Sequence, residues 1–316
     1  MMKPRLWPLL VTAFFVAAIP GAAQESPPLD ALVERLAAMT AVSGYEQQLT
    51  DTLATLLPGS RRDRAGNLVL TLGSGEPKSL IACPLDEPGY VVGGVRPDGY
   101  LTLRRVGRPR GPLADQQLEG QRVTVWGRRG AVPGVVGVRS IHLTNGRPPL
   151  PDTPFSVDEA LVDIGADKAT AVTSLGVGVL SPVALAKRPH AYADSLLAAP
   201  VIGRRAACAA LLRAARSTVP ARGTVVVAFV VEQLFTQRGL LTVGRNLGPF
   251  GDALLLDGGA GTDRIGSRTS PDSASLRSFE AWFLPVRYAG TPVETVSLRE
   301  VAALERGLTF RIRGGE

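Results

Sequence analysis

The apolar residues near the start of the chain recur at helical spacing, which predicts an amphipathic helix over residues 29–39. Ser43 and Glu46 then have the spacing of a capping box, a pair of side chains that bond the first free N–H groups of a helix. The segment 204–216 is rich in Ala and Leu and predicts a long helix. Residues 238–247 predict a further helix.

Uninterrupted runs of Val, Leu and Ala predict strands, because a strand buried on both faces carries few polar residues. Such runs cover residues 67–71, 79–83, 224–231, 253–257 and 281–284, and residues 293–303 predict a last helix. Residues 258–279 are rich in Gly, Ser and Arg and are predicted to be a loop.

The pattern changes between residues 93 and 195, where short β-type runs alternate with Gly and Pro and helical periodicity is nearly absent. This texture is typical of a small β-barrel or sandwich. We therefore predict an α/β domain, built from residues 24–92 and 196–316 around a mixed sheet flanked by helices, with a β-rich domain inserted at 93–195.

Composition and charge exclude several classes of protein. Of the 316 residues, 45% are hydrophobic and 20% are charged, which is ordinary for a globular chain. The formal net charge of +7 comes almost entirely from scattered arginines, without the basic clusters and interleaved aromatics of a nucleic-acid binder. No segment beyond the N-terminus approaches the ~20 apolar residues of a membrane span.

The N-terminus has the features of a secretory signal. Lys3 and Arg5 precede the apolar segment 6–19, and the small residues 21–23 offer a cleavage site. We expect residues 1–23 to be removed and the mature protein to be secreted or periplasmic. An uncleaved membrane anchor is the alternative.

Acidic residues follow or close three of the predicted strands. They are Asp86, Glu232 and Asp257. Because functional sites of open α/β sheets form at the carboxyl ends of strands, these acids could converge on a metal or acid/base site. The alternative is that each caps a separate helix or lies in a separate loop.

The other residue types that often carry chemistry are scarce. Both histidines, His142 and His190, lie away from the strand-end acids and are predicted to be structural. The two cysteines, Cys83 and Cys208, could pair in a secreted protein or pack as reduced thiols.

A colinear series of motifs identifies a family resemblance. The segments are LAAMTAVSGYE (36–46), DRAGNL (63–68), IACPLDEPGYV (81–91), the stretches 118–143 and 157–177, RAACAALL (205–212), FVVEQLFTQRG (229–239), DALLLD (252–257) and PVRYAGTPVE (285–294). Together they resemble the metal-dependent glutamyl or deblocking aminopeptidases that form tetrahedral particles and are often labelled endoglucanases.

The resemblance implies a zinc-peptidase-like fold with an inserted PDZ-like β domain that mediates homo-oligomer assembly. It also implies removal of N-terminal residues from peptides by two divalent metals, such as zinc or cobalt, with a glutamate as general base. Glu232 matches that glutamate, and Asp257 matches a metal ligand.

This chain departs from the family at most of the other ligand positions. Pro84 replaces a histidine, Gly203 a bridging acid, Gln233 a glutamate and Gly290 a late histidine. Asp86 remains, but its family role is to support the missing histidine. A single retained carboxylate beside a neutral amide does not suffice for two divalent ions.

These losses predict a degenerate metal site, no metal cofactor, and a non-catalytic binding or assembly role with a peptide or protein as ligand. The alternative is an active metallo-aminopeptidase with a rearranged site. Without metals the acids need another counter-charge, so we expect Arg204 or Arg205 within ~4 Å of at least one of Asp86, Glu232 and Asp257. The alternative places Arg204 in solvent.

Overall fold

The computed structural model describes residues 27–107, 115–138, 155–260, 266–269 and 279–315. The predicted signal, residues 1–23, and His142 lie outside these ranges. Within them, no helix combines the length and the apolar character needed to cross a membrane.

A seven-stranded mixed sheet forms the centre of the α/β domain, in the order β1-β2-β12-β3-β13-β15-β14. Its four inner strands β12, β3, β13 and β15 run parallel, and antiparallel partners lie outside them at both edges. The strands are β1 (Arg61–Arg62), β2 (Leu68–Ser74), β3 (Lys78–Pro84), β12 (Gly223–Val230), β13 (Asp252–Ala260), β14 (Gly266–Thr269) and β15 (Phe279–Val286).

Both faces of this sheet are covered, which explains the uninterrupted apolar run of β12. Val225, Val227 and Phe229 point into the larger core, whereas the alternate residues Val226 and Ala228 point into the smaller one. Helices α1 (Leu29–Ala37), α2 (Gln47–Leu56), α4 (Ile202–Ser217) and α6 (Leu298–Arg313) cover the first face, and α5 (Arg238–Leu247) covers the second. The fold is therefore a mixed α/β sheet with helices on both sides, as predicted.

Six strands between β3 and α4 close into a separate barrel with its own apolar core. Its circular order is β4-β5-β8-β7-β6-β9, so β4 and β9, through which the chain enters and leaves, are neighbours. The strands are β4 (Gly89–Val95), β5 (Leu101–Val106), β6 (Arg122–Gly127), β7 (Gly130–Val136), β8 (Leu161–Asp163) and β9 (Pro182–Leu185), with a short helix α3 (Ala169–Ser174).

The barrel begins four residues before the predicted boundary at 93 and ends ten residues before 195. Val91 and Val92 belong to its first strand because that strand pairs with both β5 and β9. After the barrel, β10 (His190–Tyr192) and β11 (Leu196–Ala198) form a small sheet with β16 (Thr295–Ser297). His190 is exposed there, stacked on Tyr192.

Two local predictions are wrong. The loop predicted from residue 258 begins too early, because β13 continues to Ala260 by pairing in parallel with the end of β15, and β14 adds a strand beyond it. Ser43 and Glu46 do not form a capping box, since α2 has no side-chain hydrogen bond at its N-cap. Both side chains instead bond groups far along the chain, at the candidate site.

Candidate functional site

The candidate site lies beside the first turn of α4, at the ends of β3 and β12 and next to the second half of β13. Asp86 follows β3, Glu232 follows β12, and Asp257 lies within β13. Val201, just before α4, has a left-handed backbone with φ of 58°, which is strained for a β-branched residue. This turn directs the start of α4, with Arg204 and Arg205, at the strand ends.

Arg204 lies between two of the predicted acids and bonds both. Its Nε and Nη2 donate to Asp257 Oδ1 and Oδ2 at 2.9 and 2.7 Å, the parallel geometry in which a guanidinium best fits a carboxylate. Its Nη1 donates to Asp86 Oδ1 at 3.1 Å and to the backbone carbonyl of Asp86. The Arg204 side chain is only 3% exposed, so these contacts are screened little by water.

The Asp86 carboxylate has further partners that fix its position. Oδ2 accepts hydrogen bonds from Ser43 Oγ at 2.6 Å and from the backbone N–H of Leu234 at 2.8 Å. Asp86 is fully buried. It therefore joins three parts of the site: the segment before α2, the loop after β12 and the start of α4.

Arg205 contacts none of the three predicted acids and bonds the neighbouring Glu87 instead. Its Nη2 donates to Glu87 Oε2 at 2.8 Å, and its Nη1 donates to the Leu85 carbonyl at 2.5 Å. Lys187 Nζ reaches the same Glu87 oxygen at 2.6 Å and also donates to the Pro200 carbonyl. Two cations therefore share one buried carboxylate.

Glu232 lies apart from Arg204 and Arg205. Its Oε2 accepts from Arg238 Nη1 at 2.6 Å, and its backbone is left-handed with φ of 53°. The Glu232 N–H donates to Glu46 Oε1 at 2.8 Å. The third predicted acid is therefore held by a different arginine, on α5.

Burial and neighbouring charges shift the pKa values of several groups. Burial, with a smaller contribution from the charge of Asp86, raises the pKa of Glu46 to about 7. Burial also raises the pKa of Glu294, whose carboxylate accepts the N–H groups of Gly203 and Gly290. Burial opposes the charge of Arg204, but Asp257 and Asp86 outweigh it and raise its pKa above the ordinary value. The guanidinium thus stays charged at any ordinary pH.

The positions where the family resemblance places metal ligands do not offer a ligand set. Pro84 ends β3 without a donor group. The Gln233 Oε1 atom is buried and makes no hydrogen bond to the described residues. Gly290 contributes only its N–H, to Glu294 at 2.8 Å. A Cβ on Gly203 would lie 2.5 Å from Val286 Cγ1, so this position has no room for a side chain.

Two divalent metals do not fit these residues. Asp257 has both carboxylate oxygens bonded to Arg204, and Asp86 is bonded to the same guanidinium. Across the described ranges, no three His, Cys, Asp or Glu side chains are arranged to hold a metal ion. The carboxylates that metal ions would need are instead bonded to Arg204, a cation that the chain itself supplies.

Sequence reasoning missed Lys187, Glu46 in its observed role, and Glu294. Each bonds residues more than 90 positions away: Glu87, Glu232 and Gly203, respectively. Local spacing carries no information on such pairs. The one available signal was the resemblance of the Ser43–Glu46 turn to the family.

A disulfide settles the open question of the two cysteines. Cys83 in β3 and Cys208 in α4 are bonded, with their Cα atoms 5.6 Å apart. Cys208 lies one helical turn after Arg204, and Cys83 lies three residues before Asp86. The bridge therefore joins the strand and the helix directly beneath the ion pairs.

The fold and the order of its motifs define an aminopeptidase-type α/β protein. Residues 66–249 match the model of the M42 glutamyl aminopeptidase family, and the chain belongs to that family. It is 33% identical over 220 residues to SgcX of Escherichia coli strain K12, a protein named as a candidate aminopeptidase, and this match covers 66% of the chain and 57% of SgcX.

It is also 24% identical over 215 residues to the lysyl aminopeptidase of Pyrococcus furiosus, covering 66% of the chain and 60% of that protein. The chain thus spans about three fifths of the length of the curated relatives it matches. Among solved structures, the TET1 peptidase of Pyrococcus horikoshii superposes with a TM-score of 0.81 at 21% identity, covering 91% of this chain and all of that one. That likeness concerns the fold.

Proposed function

We propose that this protein is a catalytically degenerate member of the M42 family, with a non-catalytic binding or assembly role. The observation that carries the proposal is the position of Arg204, which forms ion pairs with both Asp86 and Asp257. A guanidinium is a permanent cation with fixed fork geometry, so it can neutralise two carboxylates as a metal would. It cannot activate a water molecule as a Lewis acid.

The experiment is metal analysis combined with a peptidase assay. Purified protein is dialysed against zinc or cobalt, and bound metal is counted per chain. A panel of aminoacyl-nitroanilides then reports hydrolysis. We expect metal well below two ions per chain and no hydrolysis above the buffer background.

Two bound ions per chain, with hydrolysis abolished by a chelator and by Glu232→Gln, would overturn this proposal. That outcome would establish the alternative, an active metallo-aminopeptidase with a rearranged site. The variant separates true turnover from a contaminating peptidase, since Glu232 is the position matching the family's general base.

We further propose that the protein forms a homo-oligomer through its barrel, which acts as a PDZ-like assembly domain. The proposed ligand is a peptide or a protein. Support comes from the TET1 peptidase of Pyrococcus horikoshii, which can assemble into a tetrahedron or a large octahedral shell. Light scattering at micromolar concentration should give at least a dimer. A purely monomeric protein in this measurement would contradict the proposed homo-oligomer.

Export to the periplasm or the medium is part of the same proposal, based on the signal pattern of residues 1–23. N-terminal sequencing of protein from an expressing bacterium should begin at Gln24. Retention of Met1 in a membrane fraction would instead support the uncleaved anchor.

A further inference from the structure

The barrel and the candidate site meet at a buried charged cluster that the proposed function does not use. Its members are Glu87, Lys187 and Arg205, whose side chains are 1%, 4% and 1% exposed. Glu87 lies two residues before the first barrel strand, and Lys187 lies two residues after the last. Both connections between the domains therefore pass through this cluster.

The first connection is also held to the α/β domain by its backbone and its packing, and the second is tied to it by the Lys187 side chain, whose Nζ donates to the Pro200 carbonyl at 2.9 Å. The Glu87 N–H donates to the Ala41 carbonyl at 2.8 Å, and Glu87 Oε1 accepts from the Ala41 N–H at 3.1 Å. A Cβ on Gly89 would lie 2.6 Å from Val42 Cγ2, so the barrel begins in close contact with this segment. The junction has little room to tilt without breaking these bonds.

The cluster continues directly into the candidate site, because its acid and its arginine each adjoin a site residue in sequence. Asp86 precedes Glu87, and Arg204 precedes Arg205. Two consecutive acids after β3 thus pair with two consecutive arginines on α4, one pair facing the site and the other facing the barrel. A shift of Glu87 must move Asp86, whose carboxylate holds the N–H of Leu234 in the loop after β12.

We propose that Lys187, Glu87 and Arg205 form a lock that couples the position of the barrel to the order of the site loop 232–238. Movement of the barrel, for example on assembly, would be transmitted through Glu87 and Asp86 to this loop. The physical basis is a buried ion cluster, where removing one partner is costly and alternative arrangements are few. The coupling is independent of whether the protein hydrolyses peptides.

Lys187→Met is the sharpest test. It removes the barrel-side cation and leaves Glu87 and Arg205 as a balanced pair, so the chain should still fold. Hydrogen exchange followed by mass spectrometry then reports on segments 85–89, 186–190 and 232–238. We expect exchange to become about tenfold faster in all three segments.

Arg213→Met is the matched control, because it removes an ion pair with Glu305 from the same helix, away from the junction. It should leave loop 232–238 at the wild-type rate. Faster exchange in 186–190 alone, with an unchanged loop, would overturn the coupling. So would an equal response of the loop to both variants.

If Lys187→Met fails to fold, the wild-type protein provides the test. Native-state exchange at rising, sub-denaturing guanidinium should show segments 85–89, 186–190 and 232–238 opening together, with the same denaturant dependence. Separate opening of loop 232–238 and the two connections would refute the lock.

Discussion

Gly203 and Gly258 bring the first turn of α4 against β13 so closely that a Cβ on Gly203 would lie 3.0 Å from the Gly258 Cα. The same Cβ would lie 3.2 Å from Glu294 Oε1. Position 203 is where the family resemblance expects an acid that bridges two metals. The chain has no side chain at this position, and the surrounding residues leave no space for one.

Restoring an acid at this position should not restore a metal site. Gly203→Asp would force the helix away from β13, and overpacking of this kind costs about 1–3 kcal/mol. We expect a lower free energy of unfolding in urea and no gain in bound zinc. Gly251→Ala is the control, since its Cβ would meet only the Lys78 carbonyl at 3.7 Å and should change stability by less than about 0.5 kcal/mol. Zinc bound by a stable Gly203→Asp protein would contradict this account.

Removal of the Arg204 charge should be far more damaging than removal of a peripheral arginine. Arg204→Met removes the guanidinium that bonds both Asp86 and Asp257, and breaking a buried pair costs about 3–5 kcal/mol. Arg204→Lys keeps the charge, but an ammonium group cannot bond two carboxylates in the planar geometry of a guanidinium. Its stability should therefore lie between those of the wild type and Arg204→Met.

Urea denaturation near pH 7 measures these differences. Arg213→Met, which breaks a partly exposed pair with Glu305 and a hydrogen bond to the Pro27 carbonyl, should cost no more than about 2 kcal/mol. Equal losses for Arg204→Met and Arg213→Met would mean that Arg204 does not neutralise the two acids.

Elements with strong internal patterns were predictable from the sequence, and long-range pairings were not. Helix 29–39 and strand 224–231 were predicted within two residues because their periodicity is set by the core they contact. At the site, the predicted loss of metal ligands indicated that the remaining acids need a counter-charge. Which arginine supplies it depends on the direction of α4, which the strained turn at Val201 sets.

Ser43 and Glu46 show why local motifs can mislead. Their spacing satisfies a capping box, but Ser43 Oγ bonds Asp86 and Glu46 Oε1 bonds the Glu232 N–H. Tertiary partners 43 and 186 residues away compete with the local bonds, and they win because Asp86 and the Glu232 N–H are also withdrawn from water. No single-sequence pattern reports such competition.

The Cys83–Cys208 disulfide should contribute strongly to stability because it closes a sequence separation of 125 residues that includes the whole barrel. Loss of a native disulfide typically costs about 2–5 kcal/mol. The double variant Cys83→Ala with Cys208→Ala should be less stable by that order in urea. Thiol titration of the unreduced, denatured protein should find no free thiol, whereas two free thiols per chain would contradict the bond.

Glu46 should make the protein less stable as the pH rises toward neutrality. Its pKa is about 7 in the folded protein against 4.5 in an unfolded chain, so the folded state favours the protonated form. The stabilisation by that proton is complete below about pH 4.5 and is lost as the pH rises through 7. This difference in the pKa of Glu46 corresponds to roughly 3 kcal/mol in the free energy of unfolding.

Glu46→Gln keeps an acceptor for the Glu232 N–H and cannot ionise, so it should remove most of this slope. Urea denaturation at pH 5 and pH 8 should show the variant gaining stability relative to the wild type at the higher pH. Some slope will remain, because burial also raises the pKa of Glu294 and acts in the same direction. If the wild type is equally stable at both values and Glu46→Gln changes neither, the buried carboxyl of Glu46 is not protonated in the folded protein.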